Sequence, residues 1–269
     1  MKRFARQLIR DHAPPIDAVL HARALRRHFR DEFHARQSVI RQKLYGAEEP
    51  TVLSGPFAGL RYLDETVWGP IEPKWIGTYE RELHDIVTEV VARRYDTIVD
   101  VGSAEGYYSV GLAARLPACA VHSFDTDPWA RAQQRRLARL NGVRNVAIGR
   151  YCRHRDIDAL ARGRTLVICD IEGYEYGLLD GGRSAALGQC DILVETHPDG
   201  AHPTARQGAE HLSDRFRASH AVEIIEMQDR PRHLAAGLRG LDRLSEAEVE
   251  ACLDERRDYP QCWLWMPRR

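Results

Sequence analysis

Short apolar runs alternate along most of the chain with segments in which apolar residues recur every three or four positions. The runs have the length and composition of buried strands, and the intervening segments have the periodicity of amphipathic helices. The predicted strands are Thr97–Val101, Ala120–Asp125, Val143–Gly149, Thr165–Asp170, Asp191–Glu195, Ala221–Met227 and Cys262–Met266. Because strands that alternate with helices form parallel sheets, the pattern predicts a doubly wound α/β domain.

Helices are predicted before, between and after these strands. They are Gly77–Arg93, Tyr107–Leu116, Pro128–Leu140, His154–Ala161, Gly177–Leu187, Thr204–Phe216 and Ser245–Glu255. Two of them have clear end signals. Asn141-Gly142 is typical of a helix C-terminus, and Ser245 with Glu248 has the spacing of a capping box.

The first part of the chain has a different character. Residues 1–45 show helical spacing interrupted at Pro14-Pro15, which predicts two helices. Glycines and a proline interrupt Val52–Leu63, which predicts a short hairpin. We therefore divide the chain into an N-terminal helical extension, residues 1–49, and a main domain, residues 50–269.

The two closing strands have no obvious crossover helix between them. A nicotinamide-binding Rossmann domain usually ends with a sixth parallel strand. Methyltransferases that use S-adenosylmethionine typically add a seventh, antiparallel strand beside the sixth. The sequence therefore predicts a Rossmann-like, seven-stranded sheet with an antiparallel last strand, although the segment between Met227 and Cys262 is long for a simple hairpin.

Composition limits the classes of function. With 43% hydrophobic residues, 29% charged residues and a formal net charge of zero, the chain as a whole has no general attraction to nucleic acid or anionic membranes. No apolar run reaches the roughly 20 residues that span a bilayer. The six cysteines are scattered and several lie in predicted strands, which predicts a reduced, cytoplasmic protein.

Basic residues exceed acidic ones before residue 46. This excess has two interpretations. It is either the solvated face of the predicted helices, or an arm for an acidic partner or substrate.

A glycine-containing turn follows the first predicted strand. Asp100 ends that strand, Gly102 and Gly106 punctuate the turn, and Asp125 ends the next strand 19 residues after Gly106. A strand-end carboxylate, close-approach glycines and a helix N-terminus predict a site for an adenosine-containing cofactor. Ala104 replaces the middle glycine that lets a backbone approach a pyrophosphate, and this favours S-adenosylmethionine over NAD(P).

The residues predicted to bind this cofactor lie in the turn, at the neighbouring strand ends and before the first strand. They are Glu80, Asp100, Gly102, Ser103, Ala104, Gly106, Tyr107, Asp125, Thr126 and Asp170. Asp100 is expected near the methionine amino group and Asp125 at the ribose hydroxyls. For Glu80 the alternative is an acidic residue that only complements the dipole of the helix it opens.

Acidic residues and a histidine follow the fourth and fifth predicted strands. Asp170 and Glu172 follow the fourth, and Glu195 and His197 end the fifth. Because the carboxyl ends of adjacent parallel strands converge, these four are the predicted catalytic residues. Such a cluster can remove a proton from a substrate hydroxyl or bind a divalent cation. The alternative is that some of them cap helices or orient loops.

Three motifs resemble the FkbM-type class I methyltransferases. They are Asp-Val-Gly-Ser-Ala-Glu-Gly-Tyr-Tyr at Asp100–Tyr108, Phe-Asp-Thr-Asp-Pro at Phe124–Pro128 and Asp-Ile-Glu-Gly-Tyr-Glu at Asp170–Glu175, the last being the most specific. The resemblance covers roughly residues 50–266. It implies methyl transfer from S-adenosylmethionine, typically to oxygen of a small metabolite or sugar. The family usually has Glu where Asp125 stands, which keeps the charge but shortens its reach.

Other functions stay open at this stage. An NAD(P)-linked Rossmann oxidoreductase needs a pyrophosphate cradle that Ala104 weakens. A non-catalytic, methyltransferase-like binding module would use the basic N-terminal helices. Nucleic acid is disfavoured as the acceptor because no Asn/Asp-Pro-Pro-Tyr element follows the fourth strand and no Pro-Cys nucleophile is present. The expected partner is a small-molecule acceptor of unassigned identity, a divalent metal is an open alternative, and the oligomeric state is unassigned.

Overall fold

A computed structural model describes residues 36–269. Helical backbone at 36–45, here α1, precedes the short helix α2 (Glu72–Ile76) and helix α3 (His84–Arg93). The alternating part comprises β1 (Thr97–Val101), α4 (Tyr107–Arg115), β2 (Ala120–Phe124), α5 (Pro128–Leu140), β3 (Val146–Gly149), α6 (His154–Leu160), β4 (Thr165–Cys169), α7 (Glu175–Leu178), β5 (Asp191–Thr196), α8 (Ala205–Phe216), β6 (Glu223–Glu226), α9 (Glu246–Leu253) and β7 (Cys262–Met266).

The strands form one seven-stranded sheet in the order β3-β2-β1-β4-β5-β7-β6. Strands β1 to β5 pair in parallel, and β7 lies between β5 and β6 and pairs antiparallel with both. The predicted fold class, a Rossmann-like sheet with an antiparallel last strand, is therefore confirmed. The strand order reverses between β1 and β4, and in such sheets ligands bind beyond the carboxyl ends of the strands at this switch point.

The sheet separates two apolar cores. Alternate residues of each central strand enter different cores, so Ile98 and Ile168 lie in one, while Val99 and Val167 lie in the other. Helices α1, α3 and α4 cover the first core, and α6 and α8 cover the second. Because both faces are covered, the strands are almost continuously apolar. By the same alternation, Asp100 belongs to the face of Ile98.

The predicted helix Gly77–Arg93 is wrong in its first part. Helix α3 begins at His84, after a 3₁₀ turn at Arg81–Leu83, and Gly77 instead ends α2 in a left-handed conformation. A Cβ on Gly77 would lie 2.1 Å from the Ser54 carbonyl oxygen, so a close backbone approach determines the break. Glu80 therefore precedes the 3₁₀ turn as its N-cap and does not open an α-helix directly.

The predicted helix Gly177–Leu187 is also wrong. Only α7 and a 3₁₀ turn at Ala185–Gln189 are helical in this region. Asp180 Oδ1 accepts the Gly182 N–H at 2.9 Å, and this local turn competes with a continuing helix. The predicted hairpin Val52–Leu63 is reduced to a loop closed by one bridge between Thr51 and Arg61.

Smaller differences affect strand ends. The third strand begins at Val146 and not at Val143, because the Val143 N–H donates to the Ala138 carbonyl at 2.9 Å and so still belongs to the end of α5. The Asn145 side-chain amide lies within hydrogen-bond distance of three carbonyl groups. The sixth strand is Glu223–Glu226, shorter than predicted. Helix α5 has its predicted bounds, and the capping box at Ser245 is present.

The structure tests the N-terminal predictions only in part. The break at Pro14-Pro15 and most of the basic residues lie outside the described residues. In the described part, Ile40 and Leu44 of α1 enter the first core. Arg41 Nε lies 2.8 Å from Asp64, and Lys43 Nζ lies 2.6 Å from Glu248. These two cations are thus paired with acidic groups of the main domain. The division at residue 50 stays a prediction.

Two further features concern the whole described region. All six cysteines are buried free thiols, as expected for small core residues. Among residues 36–269, no helix combines the length and apolarity required to cross a bilayer.

Candidate functional site

The turn after β1 has a left-handed backbone at three positions. The φ angles are 87° at Gly102, 46° at Ala104 and 98° at Gly106. A Cβ on Gly102 would lie 1.6 Å from the Asp170 carbonyl oxygen, so only glycine fits there. Helix α4 starts directly after Gly106 without a side-chain cap, which leaves its first N–H groups for other acceptors.

Asp125 joins the end of β2 to this turn. Its Oδ2 accepts the Ala104 N–H at 2.9 Å, and its Oδ1 accepts the Asp127 N–H at 2.7 Å. Burial raises the pKa of Asp125 to about 7, although these two hydrogen bonds oppose the shift. A carboxylate has further lone pairs, so it can still accept from a ligand hydroxyl. The neighbouring Thr126 is half-buried, and its carbonyl accepts from Arg131 at 3.0 Å.

Buried polar atoms beside the turn have no hydrogen-bond partner among the described residues. They include Oδ2 of Asp100 and the hydroxyls of Tyr107 and Ser109. Burial raises the pKa of Asp100 to about 8, and the charges of Asp170 and Asp125 add to the shift. Buried polar groups are normally satisfied, so these atoms fit a polar ligand bound at the turn.

Ser103 has a structural role in the turn. Its hydroxyl lies 2.8 Å from the Ser123 hydroxyl and accepts from Gln134 Nε2 at 2.7 Å. It also donates to the Phe124 carbonyl at 3.1 Å. The Ser103 N–H also donates to the Phe124 carbonyl at 3.2 Å, and its carbonyl accepts the Gly106 N–H at 2.8 Å. These bonds fix the turn to β2 and α5, and a cofactor contact of Ser103 stays a prediction.

A buried ion pair holds the segment before α3 against the turn. Glu105 is fully buried and pairs with Lys74. It also accepts the Tyr62 hydroxyl at 2.9 Å and the Val67 N–H at 3.2 Å. Although burial raises the pKa of Glu105, the Lys74 ammonium keeps it below its ordinary value. Sequence reasoning missed Lys74, because a single lysine is equally compatible with the surface.

A second buried network surrounds Glu80, which has φ 45°. Its Oε1 accepts from Arg257 at 2.7 Å, its Oε2 accepts the Tyr108 hydroxyl, and its N–H donates to Glu255 at 2.9 Å. The Arg257 guanidinium also lies 3.9 Å from Glu195. Sequence reasoning missed Arg257 and Glu255, because they belong to a charged run that is typical of a solvated loop.

The four predicted catalytic residues lie together. His197 Nε2 is 3.5 Å from Asp170 Oδ1, 3.8 Å from Glu172 Oε2 and 3.8 Å from Glu195 Oε1. On the opposite side of the ring, Nδ1 is 3.2 Å from Glu175 Oε1. Burial alone lowers the pKa of His197, but the hydrogen bond to Glu175 and the surrounding carboxylates raise it well above its ordinary value.

The members of this cluster differ in exposure. The side chain of Glu195 is fully buried, whereas those of Asp170 and Glu172 are 33% and 44% exposed. Burial raises the pKa of Asp170 to about 7, with His197 opposing the shift and Glu172 adding to it. Asp170, Glu172 and His197 each offer an atom that could ligate one metal ion. Glu195 and His197 therefore form the buried side of the cluster, and Asp170 and Glu172 form its solvent-accessible side.

No protein-family model matches the chain, and no curated protein sequence matches it. Several solved methyltransferases are similar at low identity. The O-methyltransferase TomG from Streptomyces achromogenes is 13% identical, with 67% of this chain and 77% of that chain covered at a TM-score of 0.44. The precorrin-6y C5,15-methyltransferase from Geobacter metallireducens is 13% identical over 68% of this chain and 89% of that chain, at 0.43. An rRNA methylase from Streptococcus thermophilus is 12% identical, with 70% of this chain and 97% of that chain covered at a TM-score of 0.43. These similarities place the chain in no family, so its function is proposed below from its own residues.

Proposed function

We propose that this protein transfers a methyl group from S-adenosylmethionine to an oxygen atom of a small acceptor. One observation carries the proposal. The turn between β1 and α4 lies beside the buried atoms of Asp100 and Tyr107 that have no hydrogen-bond partner among residues 36–269, and through Gly102 it contacts the backbone of Asp170. The contact between Gly102 and Asp170 therefore joins a site suited to a cationic, polar cofactor to a cluster that can accept a proton.

On the cofactor side, Asp100 would bind the methionine amino group and the Tyr107 hydroxyl a second polar group. Asp125 would accept the ribose hydroxyls beside the two N–H groups that it already holds. The cofactor, when bound, supplies an electrophilic methyl group on a sulfonium. The middle position of the turn favours this cofactor over NAD(P), because the Ala104 N–H donates to Asp125 and is not free for a pyrophosphate.

On the acceptor side, the protein has to place the hydroxyl and remove its proton. Within the cluster, Glu172 and His197 Nε2 are the two candidate bases. His197 has first to lose a proton, because Glu175 and the surrounding carboxylates raise its pKa well above its ordinary value. Glu175 holds the His197 ring through Nδ1, which leaves Nε2 facing Asp170 and Glu172. Because Glu172 is partly exposed, an acceptor can reach these atoms from solvent.

We further propose that the chain is of the FkbM type. The support is the element Asp170–Glu175, in which Glu172 and Gly173 adopt left-handed backbones and Glu175 accepts the Gly173 N–H at 2.8 Å. The same Glu175 orients His197, so the motif has a physical task in this fold. The six buried thiols favour a reducing compartment, and we propose the cytoplasm.

Calorimetric titration with S-adenosylmethionine and with S-adenosylhomocysteine tests the cofactor, with NADPH as a comparison. We expect micromolar affinity for the first two and none for NADPH. Asp125→Ala should abolish binding, while Asp242→Ala, at an exposed position, should not. Because Asp125 also holds the turn, the melting temperature of each variant is measured in parallel. Unchanged affinity in a folded Asp125→Ala variant would overturn the cofactor assignment.

A screen of hydroxyl compounds with radiolabelled methyl donor tests the second half of the proposal. We expect label on an oxygen of a small molecule. Label recovered only on RNA would contradict the small-molecule acceptor while leaving the cofactor assignment intact.

A further inference from the structure

The cluster at the ends of β4 and β5 has the geometry of a metal site. One atom each from Asp170, Glu172 and His197 lies within 4.8 Å of the other two. The His197 Nε2 distances are 3.5 Å to Asp170 Oδ1 and 3.8 Å to Glu172 Oε2. Two atoms bound to one ion at about 2.0 to 2.2 Å, at octahedral to tetrahedral angles, lie about 2.8 to 3.6 Å apart. The three side chains would therefore have to move closer together to bind one ion.

His197 is oriented as a metal ligand usually is. Glu175 Oε1 lies 3.2 Å from Nδ1 and also accepts the His197 backbone N–H at 2.7 Å. The other oxygen of Glu175 accepts the Gly173 N–H at 2.8 Å. Such a carboxylate holds the N–H of Nδ1 and so directs Nε2 outward. Here Nε2 faces Asp170 and Glu172, and an ion that binds there would displace the proton that Nε2 carries in the metal-free protein.

Glu195 supplies an independent observation. It is fully buried, both of its carboxylate oxygens lack a hydrogen-bond partner among the described residues, and Oε1 lies 3.8 Å from His197 Nε2. Arg257 lies 3.9 Å from Glu195 Oε1 and already pairs with Glu80. A buried carboxylate without partners is costly. An ion beside Nε2, or a water bound to it, would satisfy these oxygens.

We propose that Asp170, Glu172 and His197 bind one divalent transition-metal ion, and that Glu195 accepts hydrogen bonds from water bound to it. The imidazole ligand favours Mn²⁺, Co²⁺ or Zn²⁺ over Mg²⁺, which prefers oxygen ligands and retains its waters. The solvent-accessible side at Asp170 and Glu172 leaves coordination positions open to solvent.

Metal binding does not depend on the proposed methyl transfer, but its catalytic consequence does. A bound ion would lower the pKa of an acceptor hydroxyl placed on it. It would also occupy the Nε2 lone pair, so His197 would be a ligand and not the base.

The test uses the full chain after treatment with a chelator, titrated calorimetrically with MnCl₂ alone. We expect one Mn²⁺ per chain at micromolar affinity, and Mg²⁺ at least tenfold weaker. Glu172→Gln and Asp170→Asn should weaken Mn²⁺ binding about 10- to 100-fold, whereas Glu223→Gln, on an exposed strand position, should not. Zn²⁺ should shift the ¹⁵N resonance of His197 Nε2 in wild-type protein.

Folding is checked for each variant by its circular dichroism and melting temperature. Absence of binding by all three transition metals at millimolar concentration in folded wild-type protein would overturn the proposal. Equal Mn²⁺ affinity in wild type and both variants would overturn it as well. Titration of metal-free protein with S-adenosylmethionine is measured separately, so failure of the cofactor assignment and failure of the metal site give different results.

Discussion

The carbonyl oxygen of Asp170 occupies the position from which a side chain on Gly102 would project. A Cβ on Gly102 would lie 1.6 Å from this oxygen, and the φ angle of Gly102 is 87°. The Asp170 N–H also donates to the Val101 carbonyl at 2.9 Å. The contact therefore fixes the distance between the turn after β1 and the end of β4, which are the two halves of the candidate site.

Gly102→Ala should destabilise the protein by about 3 kcal/mol or more, because both the left-handed backbone and the contact with Asp170 exclude a Cβ. Chemical denaturation measures the change. Gly188→Ala is the matched control, since its added Cβ meets no atom within 4 Å. A Gly102→Ala variant as stable as this control would contradict the rigid contact described here.

Lys74→Met should cost about 3 to 5 kcal/mol, because it leaves the fully buried carboxylate of Glu105 without its cation. The double variant Lys74→Met with Glu105→Gln should recover part of this loss, since no buried charge then remains. Urea unfolding of both variants measures the difference.

An exposed ion pair serves as the control for this prediction. Arg206 lies 3.0 Å from Glu210, and both side chains are at least half exposed. Arg206→Ala should leave the unfolding midpoint unchanged. If the double variant is no more stable than Lys74→Met alone, the unpaired charge is not the cause of the loss.

Asp100→Asn should remove part of the pH dependence of stability. The pKa of Asp100 is about 8 in the folded chain and 3.8 as a free side chain. Between these values the unfolded state binds fewer protons, so the free energy of unfolding falls as the pH rises, by at most ~1.4 kcal/mol per pH unit. The variant should therefore gain stability relative to wild type from pH 5 to pH 8.

Unfolding curves at several pH values measure this effect. Asp125 and Asp170, with pKa values of about 7, also make the free energy of unfolding fall as the pH rises. The effect of Asp100 is therefore the difference in the free energy of unfolding between variant and wild type at each pH. For Asp242→Asn, at an exposed position, the free energy of unfolding should change with pH as it does in wild type. If the free energy of unfolding of Asp100→Asn changes with pH as in wild type, the pKa of Asp100 is not raised in the folded protein.

Arg257→Ala should destabilise the protein by about 2 kcal/mol or more, because Glu80 loses its guanidinium partner at 2.7 Å. Under the proposed function it should also weaken S-adenosylmethionine binding about tenfold. Arg257→Lys, which keeps the charge without the planar fork, should be intermediate. Arg239→Ala is the control, since Arg239 pairs at 2.8 Å with Glu48 and both side chains are largely exposed. Similar losses at Arg239 and Arg257 would contradict this assignment.

The sequence predicted the strands well and several helix ends poorly. Apolar runs that are buried on both faces of a sheet are recognisable without tertiary information, as β1 and β7 show with their predicted bounds. The start of α3 was not predictable. Its position depends on the approach of Gly77 to the Ser54 carbonyl, a contact between residues that local periodicity does not relate.

The alternation of side chains along strands predicts the location of two of the four predicted catalytic residues. Asp170 and Glu195 continue the strand positions of Ile168 and Leu193, which lie in one core, and this places both carboxylates on one face at the same sheet edge. The partners of the site follow no such rule. Arg257 reaches Glu80 from a loop before β7.

The sequence by itself thus determined the sheet, its antiparallel last strand and which acidic residues end its strands, because these follow from periodicity and chain order. Only the tertiary structure decided what those residues contact. Asp125 holds the glycine turn, and His197 is oriented by Glu175. Glu195 is buried, and within residues 36–269 its carboxylate has no hydrogen-bond partner. These relations arise where segments distant in sequence pack together, and their distances depend on the packing of the whole domain.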